Sequence, residues 1–107
     1  MDTVNKRSSY FLTLSFFDEN NLPIIPNQCT YQIDDANTGT NILPATPFTP
    51  TGTSYVLEIT PAQNTMQNAN DASETRKITC ICPYGSWGRQ QTIEWDYQVI
   101  NLVGVPT

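Results

Sequence analysis

The run Thr92–Val99 alternates polar and apolar residues without a break. Successive side chains of a β-strand point to opposite faces, so this pattern predicts a strand with one buried and one solvated face. Ile93, Trp95, Tyr97 and Val99 fall on the predicted buried face. Other segments repeat the alternation, and none has the period of a long helix. The chain is therefore predicted to be all-β.

About seven short strands are predicted, separated by turn residues at a spacing typical of two-sheet sandwiches. Thr60-Pro61-Ala62-Gln63 has the pattern of a helix start, with threonine as the cap and proline in the first turn. The residues that follow are too polar to extend a helix beyond one or two turns. Prolines between residues 44 and 50 predict an edge strand or a loop, because proline cannot donate to a central ladder. The predicted fold is an antiparallel β-sandwich with one short crossover helix.

The chain length of 107 residues predicts one domain. We expect a flexible N-terminal arm at residues 1–9, the sandwich at residues 10–102 and a short tail at residues 103–107. The main strands are predicted at residues 10–17, 28–34, 40–43, 54–59, 74–84 and 92–101. The alternation in them predicts a core of Leu12, Leu14, Tyr31, Ile33, Leu57, Ile59, Ile78, Cys80, Ile93, Trp95, Tyr97 and Val99.

The charge balance limits the classes of partner that the chain is expected to bind. Five basic and ten acidic residues give a net charge of −5, which argues against nucleic acid as a partner because phosphate binding requires clustered lysine and arginine. An acidic surface can meet a basic partner, but ordinary solubility is the favoured explanation. The first residues lack the apolar segment of a signal peptide. No run approaches the ~20 apolar residues of a membrane span, so no membrane partner is expected.

The three cysteines are predicted to be buried free thiols of a reducing cytoplasm. Cys80 and Cys82 lie on one face of one strand, roughly 6.5–7 Å apart, which is too far for an easy disulfide. Cys29 and Cys80 lie on the second and penultimate predicted strands, where immunoglobulin domains place their bridge. Facing thiols at those two positions are therefore an alternative.

No residue set predicts catalysis or a cofactor. The chain has no histidine, the commonest general base and metal ligand, and no nucleophile motif, phosphate loop or zinc-spaced cysteine set. The acidic pairs Asp18-Glu19 and Asp34-Asp35 are compatible with a calcium loop. Asp is also an ordinary turn residue, and the spaced carboxylates of a calcium loop are missing, so turns are favoured. The sequence predicts a protein that is not an enzyme.

The hairpin tip Tyr84–Arg89 is the most suggestive candidate site. Tryptophan, tyrosine and arginine dominate binding hot spots, and Trp87 is flanked by a glycine in this short turn. The alternative is that Trp87 folds back and caps the sandwich. An apolar terminus also tends to dock on another surface. The candidate interface residues are Tyr84, Trp87, Arg89, Val103 and Val105.

Several sequence fragments form a recognisable series along the chain. They are Leu12-Thr13-Leu14-Ser15-Phe16-Phe17-Asp18, Tyr31-Gln32-Ile33-Asp34-Asp35 with Thr38-Gly39, Ile59-Thr60-Pro61-Ala62-Gln63-Asn64, Glu74-x-Arg76-x-Ile78-Thr79, and Tyr97-x-Val99-x-Asn101-Leu102. In this order the chain resembles the small immunoglobulin-like structural proteins of tailed bacteriophages, which are encoded among head and neck genes. The resemblance covers residues 11–102.

This resemblance implies a non-enzymatic virion component that decorates the capsid or fits between head and tail. It implies partners among the other virion proteins, such as the major capsid protein or the neck proteins, and many copies in each particle. It carries no catalytic residues to transfer to this chain. The competing hypothesis is a binding module of the tail or fibre that recognises a host surface.

Overall fold

Strands dominate the computed structural model, which describes residues 1–85, 88–102 and 104. In this part of the chain it contains seven strands and one short 3₁₀ helix, so the predicted all-β sandwich with a short crossover helix is confirmed. No helix in these residues is long and apolar enough to cross a membrane. The strands are β1 (Asp2–Asn5), β2 (Tyr10–Ser15), β3 (Cys29–Asp35), β4 (Asn41–Phe48), β5 (Ser54–Ile59), β6 (Ser73–Pro83) and β7 (Gln90–Ile100), and the helix is Pro61–Asn64.

The strands form a five-stranded sheet in the order β1-β7-β6-β3-β4 and a two-stranded sheet of β2 and β5. Four strands of the large sheet, β7-β6-β3-β4, have the order of strands G-F-C-C′ in an immunoglobulin variable-type sandwich, and β2 and β5 occupy the places of strands B and E. Ring stacking joins the two layers at both sides. Tyr10 on β2 stacks on Tyr97 of β7, and Tyr55 on β5 stacks on Phe48 of β4.

The N-terminal segment is a strand, so the prediction of a flexible arm is wrong for its first residues. β1 pairs with the last four residues of β7 in the parallel sense, whereas every other described strand pair is antiparallel. The Lys6 amide donates to the Ile100 carbonyl at 2.9 Å, and Lys6 itself is buried. The polar composition that indicated a flexible arm belongs instead to an edge strand. Its partner, β7, lies near the other end of the sequence.

The crossover helix forms where its local sequence predicted it. The Thr60 side chain accepts from the Gln63 amide at 3.4 Å, and the Gln63 side chain accepts from the Thr60 amide at 2.9 Å. This reciprocal capping box, with proline in the first turn, defines the start of the helix. The prolines of β4 are also placed as predicted, because β4 is the last strand of the large sheet.

The core prediction is confirmed except at β7. Trp95 is 42% exposed and Ile93 is half-buried. Trp95 is opposite Ile78 in the sheet and so lies on the predicted face, but β1 reaches along β7 only as far as Tyr97. The part of β7 that carries Trp95 therefore lies at an open border of the sandwich. The confirmed members are Leu12, Leu14, Tyr31, Ile33, Leu57, Ile59, Ile78, Cys80, Tyr97 and Val99.

A buried ion pair lies on the same inner face of β6. Arg76 has no exposed surface, and its Nη2 lies 2.6 Å from Oε1 of Glu74. The guanidinium also donates to the carbonyls of Gln63 and Thr65, while its Nε has no hydrogen-bond partner. This pair fixes the crossover segment to the large sheet.

The three thiols are buried and unbonded to one another, as predicted. The alternative that Cys29 and Cys80 face each other is wrong, because β3 and β6 are neighbours in one sheet and an immunoglobulin bridge joins opposite sheets. Tyr31 is opposite Cys80 in the register, which places Cys29 opposite Cys82. The Cys29 and Cys82 thiols interact with each other across the two strands.

We expect the thiols to react with an alkylating reagent only when the protein unfolds. Burial raises the pKa of the Cys80 thiol from 9.0 to about 12, and burial also raises the pKa values of Cys29 and Cys82. The reactive thiolate is therefore scarce in the folded state. Mass spectrometry after alkylation should show no label on the native protein and three labels after denaturation. Fewer than three labels on the denatured chain would reveal a disulfide.

The same groups predict a loss of stability at high pH. Burial also raises the pKa of Tyr97 from 10.0 to about 12. A group whose pKa is raised by folding contributes its full stability below its unfolded pKa and loses it as the pH rises through the folded value. The free energy of unfolding should therefore be level from neutral pH to about pH 9 and fall between about pH 9 and 12. A level profile across that window would contradict the burial of these groups.

Candidate functional site

Tyr84 and Arg89 lie together at the link between β6 and β7. The Tyr84 amide donates to the Arg89 carbonyl at 3.0 Å. Gly85 and Gly88 have φ values of 60° and 69°, which favour glycine because other residues meet a steric penalty there. The other three candidate residues, Trp87, Val103 and Val105, lie outside the described residues. Of the five predicted interface residues, the structure thus describes only Tyr84 and Arg89.

Glu19, from the loop between β2 and β3, joins both of these residues. The Tyr84 hydroxyl donates to Oε2 of Glu19 at 2.7 Å, and Nε of Arg89 lies 3.8 Å from Oε1. The hydrogen bond from Tyr84 lowers the pKa of Glu19, and the same bond raises the pKa of Tyr84. Glu19 is therefore an ionised acceptor at neutral pH, and this arrangement fixes two loops rather than supplying a general acid.

Three further hydrogen bonds hold the same loop against β6, β7 and the turn between them. The Asn27 amide donates to the Pro83 carbonyl at 2.8 Å, and its side chain donates to the Gly85 carbonyl at 3.4 Å. At the other end of the loop, the Phe17 amide donates to Oε1 of Gln91 at 3.0 Å. Residues 17–27, 83–85 and 88–89 thus form one connected surface, which we call the hairpin end.

The acidic pair Asp18-Glu19 builds a turn within this surface. Oδ1 of Asp18 accepts from the amides of Asn20 and Leu22 at 2.9 and 3.0 Å, and Asn21 has a φ of 65°. Asp35 accepts from two backbone amides in the same way, and the Thr38 amide lowers its pKa. These bonds support the turn interpretation. The described residues contain no group of three or more acidic, histidine or cysteine residues that could hold a metal ion.

Exposed apolar side chains on the loop make part of the hairpin end hydrophobic. Leu22 is 58% exposed and Ile25 is 56% exposed, and Phe17 is also exposed. Sequence reasoning missed these residues and Glu19 as parts of the site. The segment Leu22–Pro26 has an extended, proline-bounded pattern but carries no signal that brings it beside Tyr84, which lies some sixty positions further along the chain.

A second feature that sequence reasoning missed is an open cleft at Trp95. It has a volume of about 330 Å³ and is lined by Met1, Lys77, Glu94, Trp95 and Asp96. The Trp95 Nε1 donates to the Tyr10 hydroxyl at 2.8 Å, and that hydroxyl donates to Asp2 at 2.7 Å. These two bonds fix the orientation of the indole. The alternation of β7 predicted Trp95 as core, and no local signal separates it from the buried Tyr97.

The described structure thus offers two surfaces suited to binding: a fixed hairpin end with apolar, aromatic and cationic side chains, and a cleft with one oriented indole wall. Neither surface holds a paired nucleophile and base within the described residues. No protein-family model, curated protein sequence or solved structure matches this chain.

Proposed function

We propose that this protein is a non-enzymatic structural component of a tailed-phage virion that docks on the capsid through its hairpin end, as a head decoration or head-associated protein. The docking part is carried by one observation, the fixed cluster of Glu19, Tyr84 and Arg89 beside exposed Leu22 and Ile25. The phage part is supported by the order of the sequence fragments given above.

Three properties of the hairpin end favour docking. Rigid scaffolds present their binding residues on loops, and variable-type sandwiches bind with the B–C and F–G loops, which correspond to the two loops here. The loops are held by hydrogen bonds within the free protein, so little ordering entropy is lost on association. Exposed apolar residues beside tyrosine and arginine have the composition of an interface core.

The proposed partners are other virion proteins, namely the major capsid protein or the neck proteins, and the proposed location is the virion after synthesis in the host cytoplasm. Three free thiols fit synthesis in a reducing compartment. A position in the head-to-tail neck is an alternative for the same docking surface.

The Trp95 cleft favours a second candidate function, a binding module of the tail or fibre that recognises a host surface. Ligand sites are concave and use a few oriented aromatic and polar groups, and this cleft reaches the lower end of their usual volumes. Copy number separates the candidates, because decoration requires many copies over the head, a neck position requires one ring, and a receptor-binding module requires few.

Replacing Leu22 and Ile25 together with serine should weaken rebinding of the purified protein to particles that lack it. We expect the affinity to fall about 10- to 30-fold, since truncating interface anchors costs about 1.4–2 kcal/mol. Both side chains are exposed, so the free energy of unfolding should change by less than ~0.5 kcal/mol. Binding isotherms with labelled protein and quantified particles give the measurement.

Val56→Ser is the matched control, because Val56 is 57% exposed but lies on the outer face of the small sheet. Its affinity for particles should equal that of the parent. Equal losses of affinity for Val56→Ser and for the Leu22/Ile25 variant would show that the hairpin end is not the contact surface. Absence of the protein from purified particles, measured by mass spectrometry with copy counting, would overturn the virion proposal.

A further inference from the structure

The outer edge of β7 is only partly covered by a strand. β6 pairs with β7 along its whole length, from Gln90 to Ile100. On the other side β1 pairs with residues 97–100 alone. In the described part of the chain, residues 90–96 of β7 therefore have no strand beside them on that side. An edge of this kind is a template for another extended chain.

The pairing with β1 shows which backbone groups face outwards. The Lys6 amide donates to the Ile100 carbonyl, so the backbone groups of Ile100 face β1. Backbone direction alternates along a strand, which turns the N–H and C=O groups of every second residue to the same side. Continuing down β7, the groups of Thr92, Glu94 and Asp96 face outwards, in line with β1. The pairing of Asp2 with Tyr97 engages the Asp96 carbonyl, so Asp96 offers its amide alone.

The side chains next to this edge have distinct chemistry on the two faces of the sheet. Glu94 and Asp96 point to the outer face, where Glu94 lies 3.6 Å from Lys77 and is well exposed. Glu94 and Asp96 thus place two carboxylates beside Lys77 on this face. On the inner face Trp95 presents an oriented, partly exposed indole. The cleft at this edge is lined by Trp95 and also by the outward-facing residues Lys77, Glu94 and Asp96.

A second copy of the chain is a poor occupant. Antiparallel pairing of residues 92–96 with a symmetry mate places Glu94 opposite its own equivalent, with an Asp96 two positions away on each strand. Like charges opposite each other across strands are destabilising, and charges on an edge are a common defence against self-association.

We propose that the open edge of β7 accepts an extended segment of a partner protein as an added strand, and that this segment alternates basic and apolar residues. Its basic side chains meet Glu94 and Asp96 on the outer face. Its apolar side chains pack on the exposed part of the Trp95 indole on the inner face. Its backbone pairs with the outward groups of Thr92 and Glu94 and with the Asp96 amide, which is recognition by strand addition. This site is separate from the hairpin end and does not depend on the proposed function.

The test uses a short capped peptide that alternates lysine and valine, titrated into the intact protein and followed by NMR hydrogen exchange. The amides of Thr92, Glu94 and Asp96 should become protected about tenfold or more. Those of Ile93, Trp95 and Tyr97 face β6 and should not change. A peptide of the same charge, N-methylated at alternate residues to block pairing, should give no protection. A glutamate–valine peptide should also give none.

Two variants at one position separate the backbone from the charge. Glu94→Pro removes an outward amide, which an edge strand tolerates, and should abolish binding of the lysine–valine peptide. Glu94→Gln keeps the amide and should weaken binding while preserving the protection of Thr92 and Asp96. The Leu22/Ile25 double variant should bind the peptide like the parent.

Three outcomes would overturn the proposal. Equal binding of the N-methylated peptide would show simple charge attraction, even if Glu94→Pro fails to fold. Protection of the three amides before any peptide is added would show that the edge is already covered, by the chain itself or by a second copy. Equal protection by the glutamate–valine peptide would remove the charge selectivity.

Discussion

Glu74→Ala should lower the free energy of unfolding by ~3–5 kcal/mol, because it leaves the charge of Arg76 buried without its counter-ion. Arg76 has no exposed surface, and Glu74 lies 2.6 Å from it. The Glu74 carboxylate also accepts from the amides of Gln67 and Asn68 at 2.9 and 2.8 Å. Alanine therefore removes the counter-ion and leaves two backbone donors without that partner. Urea denaturation monitored by tryptophan fluorescence measures the change.

Two controls separate the buried charge from a general effect of substitution. Glu94→Ala removes one member of the exposed pair with Lys77 and should cost less than ~1 kcal/mol. Replacing Glu74 with leucine and Arg76 with methionine together should recover much of the loss, since removing both charges of a buried pair is often neutral. A Glu74→Ala variant as stable as Glu94→Ala would contradict the importance of this pair.

Tyr97→Ala should also cost ~3–5 kcal/mol, because it opens a cavity in the fully buried centre of the sandwich. The Tyr97 ring stacks on Tyr10 with centroids 4.7 Å apart. Its hydroxyl donates to Oδ1 of Asn64 at 2.8 Å, and Nδ2 of the Asn64 side chain donates to the Ser8 carbonyl at 2.7 Å. The ring thus links the two sheets, and the hydroxyl links them to the N-terminal segment. Thermal and urea unfolding would both report the loss.

Trp95→Ala is the matched control on the same strand and the same face. It should cost only ~1–2 kcal/mol, because the indole is partly in solvent and its removal leaves an open space that water fills. Tyr97→Phe should cost ~1–3 kcal/mol, because it leaves the buried Asn64 oxygen unsatisfied. A larger loss of unfolding free energy for Trp95→Ala than for Tyr97→Ala would show that Trp95 is a core residue. It would contradict the open border at β7.

The candidate sites could be predicted from the sequence only in part. Composition at the turn between β6 and β7 predicted Tyr84 and Arg89 as surface residues, and the structure places both at the hairpin end. Glu19 and Ile25 join them through tertiary contacts with no sequence signature. The exposure of Trp95 in the cleft could not be predicted from the alternation of β7. A period of two shows on which face of the sheet a side chain lies, but not whether another element covers it.

Features that depend on only a few neighbouring residues could be predicted from the sequence. The alternation of Tyr10–Ser15 predicted that Leu12 and Leu14 are buried, and Thr60 with Gln63 predicted the start of the only helix in the described residues. Other features depend on neighbours that are distant in sequence. The N-terminal segment became β1 because the edge of β7 was available to it, Cys29 met Cys82 because β3 and β6 are adjacent, and Trp95 stayed exposed because β1 stops at Tyr97. Propensity and periodicity are properties of a segment, whereas burial and strand partners are decided by what the rest of the chain places beside it.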